Sequence, residues 1–354
     1  MIITRTPYRI SFFGGGTDYP AWSRDHGGEV LATTINKYCY LSCRYLPPFF
    51  EHRIRVVYSR IEDCNEIDEV QHPSVREALR FLKVNRGVEI HHDGDLPARS
   101  GMGSSSAFTV GLLNALHGLK GKMPSKHQLA VDAMHVEQDL IKEAVGSQDQ
   151  ILAAYGGFNH VIFKPDGEFS VRPMILPQRR MREFSSHLML FYTGIVRTAS
   201  NIASTLIDNI PHKKQHLSRM RSLVDEAIAI LESKQDIREF GKLMNEGWRI
   251  KREFSSKISN PMVEDIYEAS MSAGALGGKL TGAGGGGFLL LFVPPERHAE
   301  VRKRLDTLIH VPFRFEFSGS GIVFFDVEED YTKHDRQRSR QHIETFRELE
   351  SSSA

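Results

Sequence analysis

A glycine- and serine-rich segment offers the clearest chemistry in this sequence. Residues 97–107 read PARSGMGSSSA, between a strand-like run at 88–92 and a helix-like run that begins at 107. Backbone N–H groups freed by glycine, hydroxyls and the positive end of a helix dipole suit a polyphosphate. An ordinary serine cap after a glycine turn is the alternative. The candidate phosphate ligands are Gly101, Gly103, Ser104, Ser105 and Ser106.

A second glycine segment suggests a sugar site. Residues 9–19 read RISFFGGGTDY, a strand-like run followed by three glycines. We expect Gly16, Thr17 and Asp18 to contact a ligand, because glycine permits close backbone approach and a carboxylate can hold vicinal hydroxyls. The alternative is an Asx-type turn, in which Asp18 accepts hydrogen bonds from its own backbone.

The third glycine segment lies between two apolar strand-like runs. Residues 277–288 read GGKLTGAGGGGF. Each glycine in a hairpin costs about 0.5–1 kcal/mol relative to alanine. Such a cost predicts that the backbone here must approach something closely. The alternative is a flexible loop that contacts nothing.

Glu137 and Asp149 are the candidates for acid–base and metal chemistry. Glu137 falls within a helical pattern at 125–144, at the edge of the buried face marked by Met134 and Leu140, and Asp149 lies in the following turn, GSQDQ. Each carboxylate alone reads as an ordinary solvated side chain. With the serine-rich loop they match a magnesium-dependent phosphotransferase, which needs a carboxylate and a hydroxyl on the metal and a second carboxylate near the acceptor.

Composition and missing motifs exclude several classes of protein. Hydrophobic residues at 40%, charged residues at 25% and a net charge of +1 are typical of a globular chain without a nucleic-acid or membrane surface. No apolar run reaches the roughly 18 residues of a membrane helix, no secretory pattern is present, and the three cysteines are an odd number, so we expect a cytoplasmic protein. P-loop, Rossmann and protein-kinase motifs are absent.

Periodicity predicts an α+β chain in two units, with a boundary between about 165 and 185. Residues 1–95 are rich in strand patterns, and helices are predicted at 107–119 and 125–144. The second half predicts a strand at 187–193, helices at 216–233, 237–254, 261–273 and 296–308, and strands at 288–293, 313–317 and 321–325. We expect the last two strands to complete an α+β layer of the second unit.

The three glycine motifs, in this order and at these separations, resemble those of the GHMP kinase superfamily over about residues 1–327. Residues 5–18, RTPYRISFFGGGTD, resemble the branch that phosphorylates the anomeric hydroxyl of D-glycero-D-manno-heptose 7-phosphate, and also the kinase part of fucokinases. Galactokinases carry Gly-Glu-His-Thr-Asp-Tyr where this chain has GGGTDY at 14–19. The missing Glu-His pair argues against galactose.

The resemblance implies the two-domain GHMP kinase fold, which belongs to the α+β class. Residues 1–170 would form the N-terminal domain, like domain 2 of ribosomal protein S5, with the phosphate loop and both carboxylates. Residues 180–330 would form a ferredoxin-like C-terminal α+β layer that carries the glycine hairpin and a wall of the acceptor pocket. Residues 331–354 would be a polar tail.

The resemblance also implies roles for the candidate residues. Ser105 and Glu137 would bind Mg²⁺, and Asp149 would be the catalytic aspartate with Arg9 as its basic partner. Asp18 would hold sugar hydroxyls. The loop residues around Ser105 would bind the phosphates of ATP, and the third glycine segment would support the nucleotide site, through Gly282 and Gly284.

The implied reaction is ATP-dependent phosphorylation of the C1 hydroxyl of a phosphosugar. A sugar 7-phosphate needs further cations, for which Lys37 and Arg197 are the candidates. The alternatives are an L-fucokinase-like or other sugar-1-kinase, and an inactive regulator that binds sugar and nucleotide. The expected partners are ATP and the small-molecule phosphosugar, with neither nucleic acid nor membrane, and nothing in the sequence assigns an oligomeric state.

Overall fold

Two long antiparallel strands organise the first half of the molecule. The computed structural model describes residues 1–195, 207, 209–255, 257–327 and 331–338. Strands β1, Ile2–Phe13, and β2, Gly28–Tyr45, are rich in β-branched and aromatic residues, which favour extended backbone. They pair from Ile2 opposite Cys43 to Phe13 opposite Leu31. Most of their side chains are buried, so this pair forms the centre of the first sheet.

Nine of the described strands form this first sheet. The far edge of β2 pairs with β6 at its start and with β5 at its end, and β5 continues into β3 and β4. These strands are β3, Ile54–Val57; β4, Ile61–Cys64; β5, Val88–Gly94; β6, Phe158–Phe163; and β7, Phe169–Pro173. The strand patterns predicted within residues 1–95 are therefore confirmed, whereas β4 and β7 were not predicted.

The second sheet has the ferredoxin-like order β11-β8-β10-β9 and is antiparallel throughout. Helices separate β8 from β9 and β10 from β11, which gives the βαββαβ pattern of that architecture. The strands are β8, Leu188–Tyr192; β9, Gly277–Leu280; β10, Phe288–Phe292; and β11, Ile309–His310. The predicted α+β class is confirmed.

The prediction for the last two strands is wrong. Strand β12, Phe315–Glu316, pairs with β2, and β13, Gly321–Phe325, pairs with the first residues of β1. The chain therefore returns to the first sheet after β11, and the sheet predicted for residues 180–330 ends earlier than expected. An apolar run predicts a strand, but not which distant strand it pairs with.

Five of the six predicted helices lie close to their predicted positions, and the sixth, at 125–144, is divided. Four further helices, Pro20–His26, Pro73–Phe81, Gln148–Tyr155 and Gln178–Ser186, were not predicted. The helical pattern at 125–144 divides into α4 and a π-helical turn, His135–Leu140, and the α-helical stretch ends at Met134. The helices are α1, Pro20–His26; α2, Pro73–Phe81; α3, Ser104–Leu119; α4, Lys126–Met134; α5, Gln148–Tyr155; α6, Gln178–Ser186; α7, Lys214–Glu232; α8, Arg238–Arg252; α9, Pro261–Ser272; α10, His298–Arg304; and α11, Thr332–Arg338.

A cluster of phenylalanines joins the two sheets. Phe184 of α6 is fully buried and lies 5.6 Å from the ring of Phe158 in the first sheet and 4.7 Å from that of Phe240 on α8. It also contacts Phe12, at 5.4 Å, and Phe292 of the second sheet, at 6.2 Å. Edge-to-face and stacked pairs of this kind add to the burial of apolar area. One ring therefore bridges both halves of the core.

We expect Phe184→Ala to lower the free energy of unfolding by about 3–5 kcal/mol, because the site is enclosed by other rings and leaves a cavity. Chemical denaturation followed by tryptophan fluorescence measures the change. Phe317→Ala is the matched control, since Phe317 is 61% exposed and should change stability by less than about 0.5 kcal/mol. Equal effects of the two substitutions would contradict the bridging role of Phe184.

Candidate active site

The serine-rich loop connects β5 to α3, as predicted. Gly101 has φ +80° and Gly103 has φ +73°, a left-handed backbone that glycine adopts without strain. Gly103 caps α3, which begins at Ser104 and so starts three residues earlier than the predicted helix. The first N–H groups of a helix have no partner within it, so this loop and helix end present donors together with a positive dipole. The geometry suits an anion.

The third glycine segment lies directly against this loop. A Cβ on Gly101 would lie 2.5 Å from the carbonyl oxygen of Thr281, and one on Gly282 would lie 2.6 Å from Cα of Gly101. A Cβ on Gly287 would lie 2.1 Å from the carbonyl oxygen of Ser100. The close approach predicted for this segment is present, and the backbone it approaches is the phosphate loop itself. Gly284 packs elsewhere, against the Ile258 carbonyl.

Arg9 and Asp149 form a bidentate ion pair beside the loop. Nε of Arg9 donates to Oδ1 of Asp149 at 2.6 Å, and Nη2 donates to Oδ2 at 2.6 Å. The third donor, Nη1, reaches the carbonyl oxygen of Gly101 at 2.7 Å. A Cβ on Gly103 would lie 3.4 Å from Oδ2 of Asp149, so the pair touches the loop on both sides. Bidentate geometry fixes the carboxylate in position.

Asp149 lies in the first turn of α5, not in the loop predicted for it. The turn GSQDQ predicted a break after the preceding helix, but Gln148 already begins the next one. A carboxylate in the first turn is favoured by the helix dipole. The side chain remains partly exposed at 23%, whereas its partner Arg9 is buried. Asp149 is therefore accessible to a ligand.

Glu137 is fully buried within the π-helical turn. Ser106 Oγ donates to its Oε2 at 2.9 Å, and Gln150 Nε2 donates to the same oxygen. The other oxygen, Oε1, has no hydrogen-bond partner. Burial raises the pKa of Glu137 to about 7, although the nearby Thr109 hydroxyl, which itself donates to the Ser105 carbonyl, and the hydrogen bonds from Ser106 and Gln150 act in the opposite direction. A buried carboxylate with a free oxygen is suited to a cation.

The predicted position of Glu137 at the edge of a buried face is wrong. Leu140, expected on that face, is 37% exposed, while Glu137 points inward. The extra residue of a π-helical turn rotates the side chains that follow relative to an α-helix. The periodicity used for the prediction assumed an unbroken α-helix.

Contacts between the start of α3, the start of α5 and the π-helical turn bring the candidate residues together. Gly103 lies beside Asp149, and Ser106, three residues later, contacts Glu137. Gln150, which follows Asp149, donates to that same Glu137 carboxylate. Sequence reasoning missed Gln150, because a single glutamine carries no spacing signal. The phosphate loop, Glu137 and the start of α5 therefore form one constellation.

The hydroxyl that touches Glu137 belongs to Ser106, and the Ser105 side chain is exposed at the start of α3. The Ser104 hydroxyl accepts from the N–H of Arg99 at 3.3 Å. Three consecutive serines in a helix point in directions about 100° apart, so only one of them faces the interior. The sequence did not distinguish which one.

Asp18 is 1% exposed, and its oxygens accept hydrogen bonds from backbone groups. Oδ1 accepts from the N–H of Gly16 at 2.8 Å, and Oδ2 accepts from that of Gln148 at 3.2 Å. The Thr17 hydroxyl donates to the carbonyls of Gly14 and Glu29. This geometry matches the turn-forming alternative, in which Asp18 ties the first glycine turn to the start of α5.

The structure describes one of the two cations expected for a distal phosphate. Lys37 is half-buried on β2, where the register against β1 shifts between Pro7 and Tyr8. Arg197 lies outside the described residues. Their proposed role therefore remains a prediction.

Two buried lysines near the loop escaped sequence reasoning. Lys251 of α8 donates to the carbonyls of Leu280 and Gly282, and Lys279 of β9 donates to that of Phe12 at 2.9 Å. Burial, with a smaller contribution from Arg9, lowers the pKa of Lys251 to about 7. Burial also lowers the pKa of Lys279. Lysine in a charged helix usually predicts a solvated side chain, so no signal marked Lys251.

Within the described ranges, no group of three or more His, Cys, Asp or Glu side chains is arranged to hold a metal. A magnesium ion in a kinase needs only one or two carboxylates, because phosphates and water supply the rest. Glu137, with its free Oε1, meets that requirement. In the same part of the chain, every helix is too short or too polar to traverse a lipid bilayer.

Comparison with known protein families finds one matching domain in each half of the chain. Residues 73–157 match the GHMP kinases N terminal domain, and residues 224–308 match the GHMP kinases C terminal family. The chain is 27% identical to D-glycero-alpha-D-manno-heptose 7-phosphate kinase of Campylobacter jejuni, over 91% of this chain and 98% of the relative.

Two further proteins that are similar to this chain are also sugar kinases. The chain is 26% identical to a bifunctional fucokinase/GDP-fucose pyrophosphorylase of Arabidopsis thaliana, over 85% of this chain but only 30% of that larger protein. A crystal structure of a D-glycero-D-manno-heptose 1-phosphate kinase from Bacteroides thetaiotaomicron superposes with a TM-score of 0.75, at 23% identity, over 92% of this chain and 100% of that one. The chain therefore belongs to the GHMP kinase superfamily and is a phosphotransferase that uses ATP and an alcohol acceptor.

Proposed function

We propose that this enzyme transfers the γ-phosphoryl group of ATP to the C1 hydroxyl of D-glycero-D-manno-heptose 7-phosphate, giving the 1,7-bisphosphate for nucleotide-activated heptose synthesis. The similarity to a heptose 7-phosphate kinase over nearly the full length of both chains supports the substrate. The Arg9–Asp149 pair held against the phosphate loop is the observation that carries the reaction type.

Residues 101–106 would bind the phosphates of ATP through backbone donors at the start of α3. Asp149 would accept the hydrogen bond of the acceptor hydroxyl as that oxygen attacks the γ-phosphorus in line, and take its proton. Arg9 holds the carboxylate in place and neutralises charge near the transferred group. Catalysis of this kind consists mainly of positioning and electrostatic stabilisation. Gly282 would support the nucleotide site by its contact with Gly101.

We further propose a magnesium site at Glu137 and the hydroxyls of Ser105 and Ser106. Bound Mg²⁺ would neutralise the phosphate oxygens. Glu137 would supply Oε1, its free oxygen, while Ser106 and Gln150 fix the carboxylate through Oε2. Ser105 is exposed and next to Ser106, so it remains available to a metal or a phosphate.

For the sugar, Asp18 would act mainly by shaping the turn at Gly16 and Thr17, since its oxygens already accept from backbone N–H groups. Lys37 and Arg197 would face the distal phosphate. Cys39, Cys43 and Cys64 are buried thiols, which accords with the reducing cytoplasm that we propose as the location of the protein.

A sugar-1-kinase of the fucokinase type is the second candidate, because fucokinases also match most of this chain. An inactive sugar- and nucleotide-binding regulator is the third. It is disfavoured by the intact Arg9–Asp149 pair and by the buried Glu137, since a regulator would not need to retain them.

A panel of acceptors distinguishes these candidates. We expect ADP release with D-glycero-D-manno-heptose 7-phosphate at a kcat/KM at least about 100-fold above that with L-fucose or unphosphorylated heptose, because a site built for a phosphate discriminates strongly against its absence. Coupled ADP detection measures the rates. Preference for L-fucose would replace the proposed substrate, and no turnover with any acceptor would favour the regulator.

We expect Asp149→Asn to lower kcat by about 10²–10⁴-fold, because the amide cannot take a proton and loses its ion pair with Arg9. ATP binding, measured by calorimetry, should stay near normal. Asp166→Asn is the control, since Asp166 is exposed in the turn after β6 and should leave kcat unchanged. Unchanged turnover in Asp149→Asn would remove this residue from the mechanism.

We expect the affinity for Mg²⁺ to fall as the pH is lowered. The folded-state pKa of Glu137 is raised to about 7, so below that pH the carboxyl is protonated and must release its proton to bind a cation. The apparent magnesium constant should weaken about tenfold per pH unit below 7 and level off above it. Magnesium titrations of ADP binding measure this, and Glu137→Gln should abolish the dependence. A flat wild-type profile would argue against Glu137 as ligand.

A further inference from the structure

The ammonium group of Lys251 is hydrogen-bonded to the turn of the glycine hairpin. Its Nζ donates to the carbonyl oxygen of Leu280 at 3.4 Å and to that of Gly282, on either side of Thr281. The side chain is buried, so these contacts take place away from water. The turn that it holds is the segment pressed against Gly101 of the phosphate loop. The hairpin turn therefore lies between Lys251 and the phosphate loop.

The contacts continue to the catalytic pair. Gly101, against which the turn rests, accepts a hydrogen bond from Nη1 of Arg9, and the other donors of Arg9 hold Asp149. Side chains of three elements, β1, α5 and α8, are thus connected through two carbonyl-lined turns. A substitution of Lys251 can therefore displace the phosphate loop through these contacts.

The charges around Lys251 leave an excess of positive charge. Arg9 of β1 and Lys279 of β9 are the cations that act on this group of side chains. The carboxylate of Asp149 is already paired with Arg9, and Asp18, which acts on Lys279, accepts from two backbone N–H groups. Among the residues described here, Lys251 makes no ion pair; its contacts are to carbonyl oxygens.

We propose that Lys251 is a positioning residue whose ammonium charge completes the phosphate site, and that it takes up a proton when a nucleotide polyphosphate binds to residues 101–106. The proposal deepens the proposed function, because it rests on the nucleotide phosphates lying at that loop. A buried lysine without a counterion favours its neutral form. A polyanion one layer away favours the charged form, and the ammonium in turn attracts the polyanion.

The titration of Lys251 accords with this coupling. Burial lowers its pKa to about 7, so near pH 8 most molecules without nucleotide carry the neutral amine. A bound polyphosphate raises the pKa, and a proton is then taken from solution. By linkage, any group whose pKa rises on binding contributes proton uptake at pH values between its two pKa values.

Calorimetry of Mg·ADP binding at pH 8, in buffers of different ionisation enthalpy, measures this uptake. Glu137 is largely ionised at that pH, so its proton release adds little. We expect uptake of about 0.5–0.9 proton per nucleotide in the wild type. Lys251→Met should abolish the uptake and weaken binding. Lys251→Arg should bind Mg·ADP without uptake, because arginine is charged at every pH used.

Two control variants separate the possible outcomes. Lys242→Met, on the same helix but exposed and paired with Glu239, should retain the uptake. If Lys279→Met loses the uptake while Lys251→Met retains it, the assignment to Lys251 is overturned. Tight Mg·ADP binding by the wild type with no proton uptake would also overturn it and leave the kinase function intact. Failure of the wild type to bind Mg·ADP at all would instead reject the proposed nucleotide site.

Discussion

The contact between two glycine turns is the constraint on which the active site depends. The hairpin of the second sheet approaches the phosphate loop of the first so closely that a single Cβ at Gly101, Gly282 or Gly287 would overlap with backbone atoms. Neither turn could reach this position with ordinary residues, and both need left-handed backbone at several points. The two halves of the molecule therefore meet through backbone atoms alone at the loop that we propose binds the nucleotide phosphates.

The charges are arranged around this contact in layers. Asp149 faces outward and is held by Arg9, whose third donor reaches the loop carbonyl of Gly101. Behind the hairpin lies Lys251, and to one side lies buried Glu137 with one free oxygen. The three buried charged groups, Arg9, Lys251 and Glu137, are each costly to bury alone. In the proposed function, the negative charge of bound phosphate and the positive charge of bound metal would offset those costs.

Much of this could be predicted from the sequence, and the failures have physical causes. Local patterns located the glycine- and serine-rich loop before the helix at 104–119, the helices of the second half, the class of the fold and the need for close backbone approach at residues 277–288. Pairing partners were not predictable for β12 and β13, since strand propensity says nothing about a strand's distant neighbour. The π-helical turn at Glu137 broke the assumed periodicity, and the choice between Ser105 and Ser106 depended on helix rotation. The burial of Lys251 and its contacts with the hairpin carbonyls depend on the tertiary structure, so the sequence did not predict them.

The return of β13 to the first sheet bears on how the chain acquires its structure during synthesis. Backbone groups of Met1 and Asp326, 325 positions apart, bond to each other, and β13 pairs with an edge of β1, a strand synthesised long before it. Until the last strands are made, that edge is open to other nascent chains. Contacts so distant along the chain slow folding.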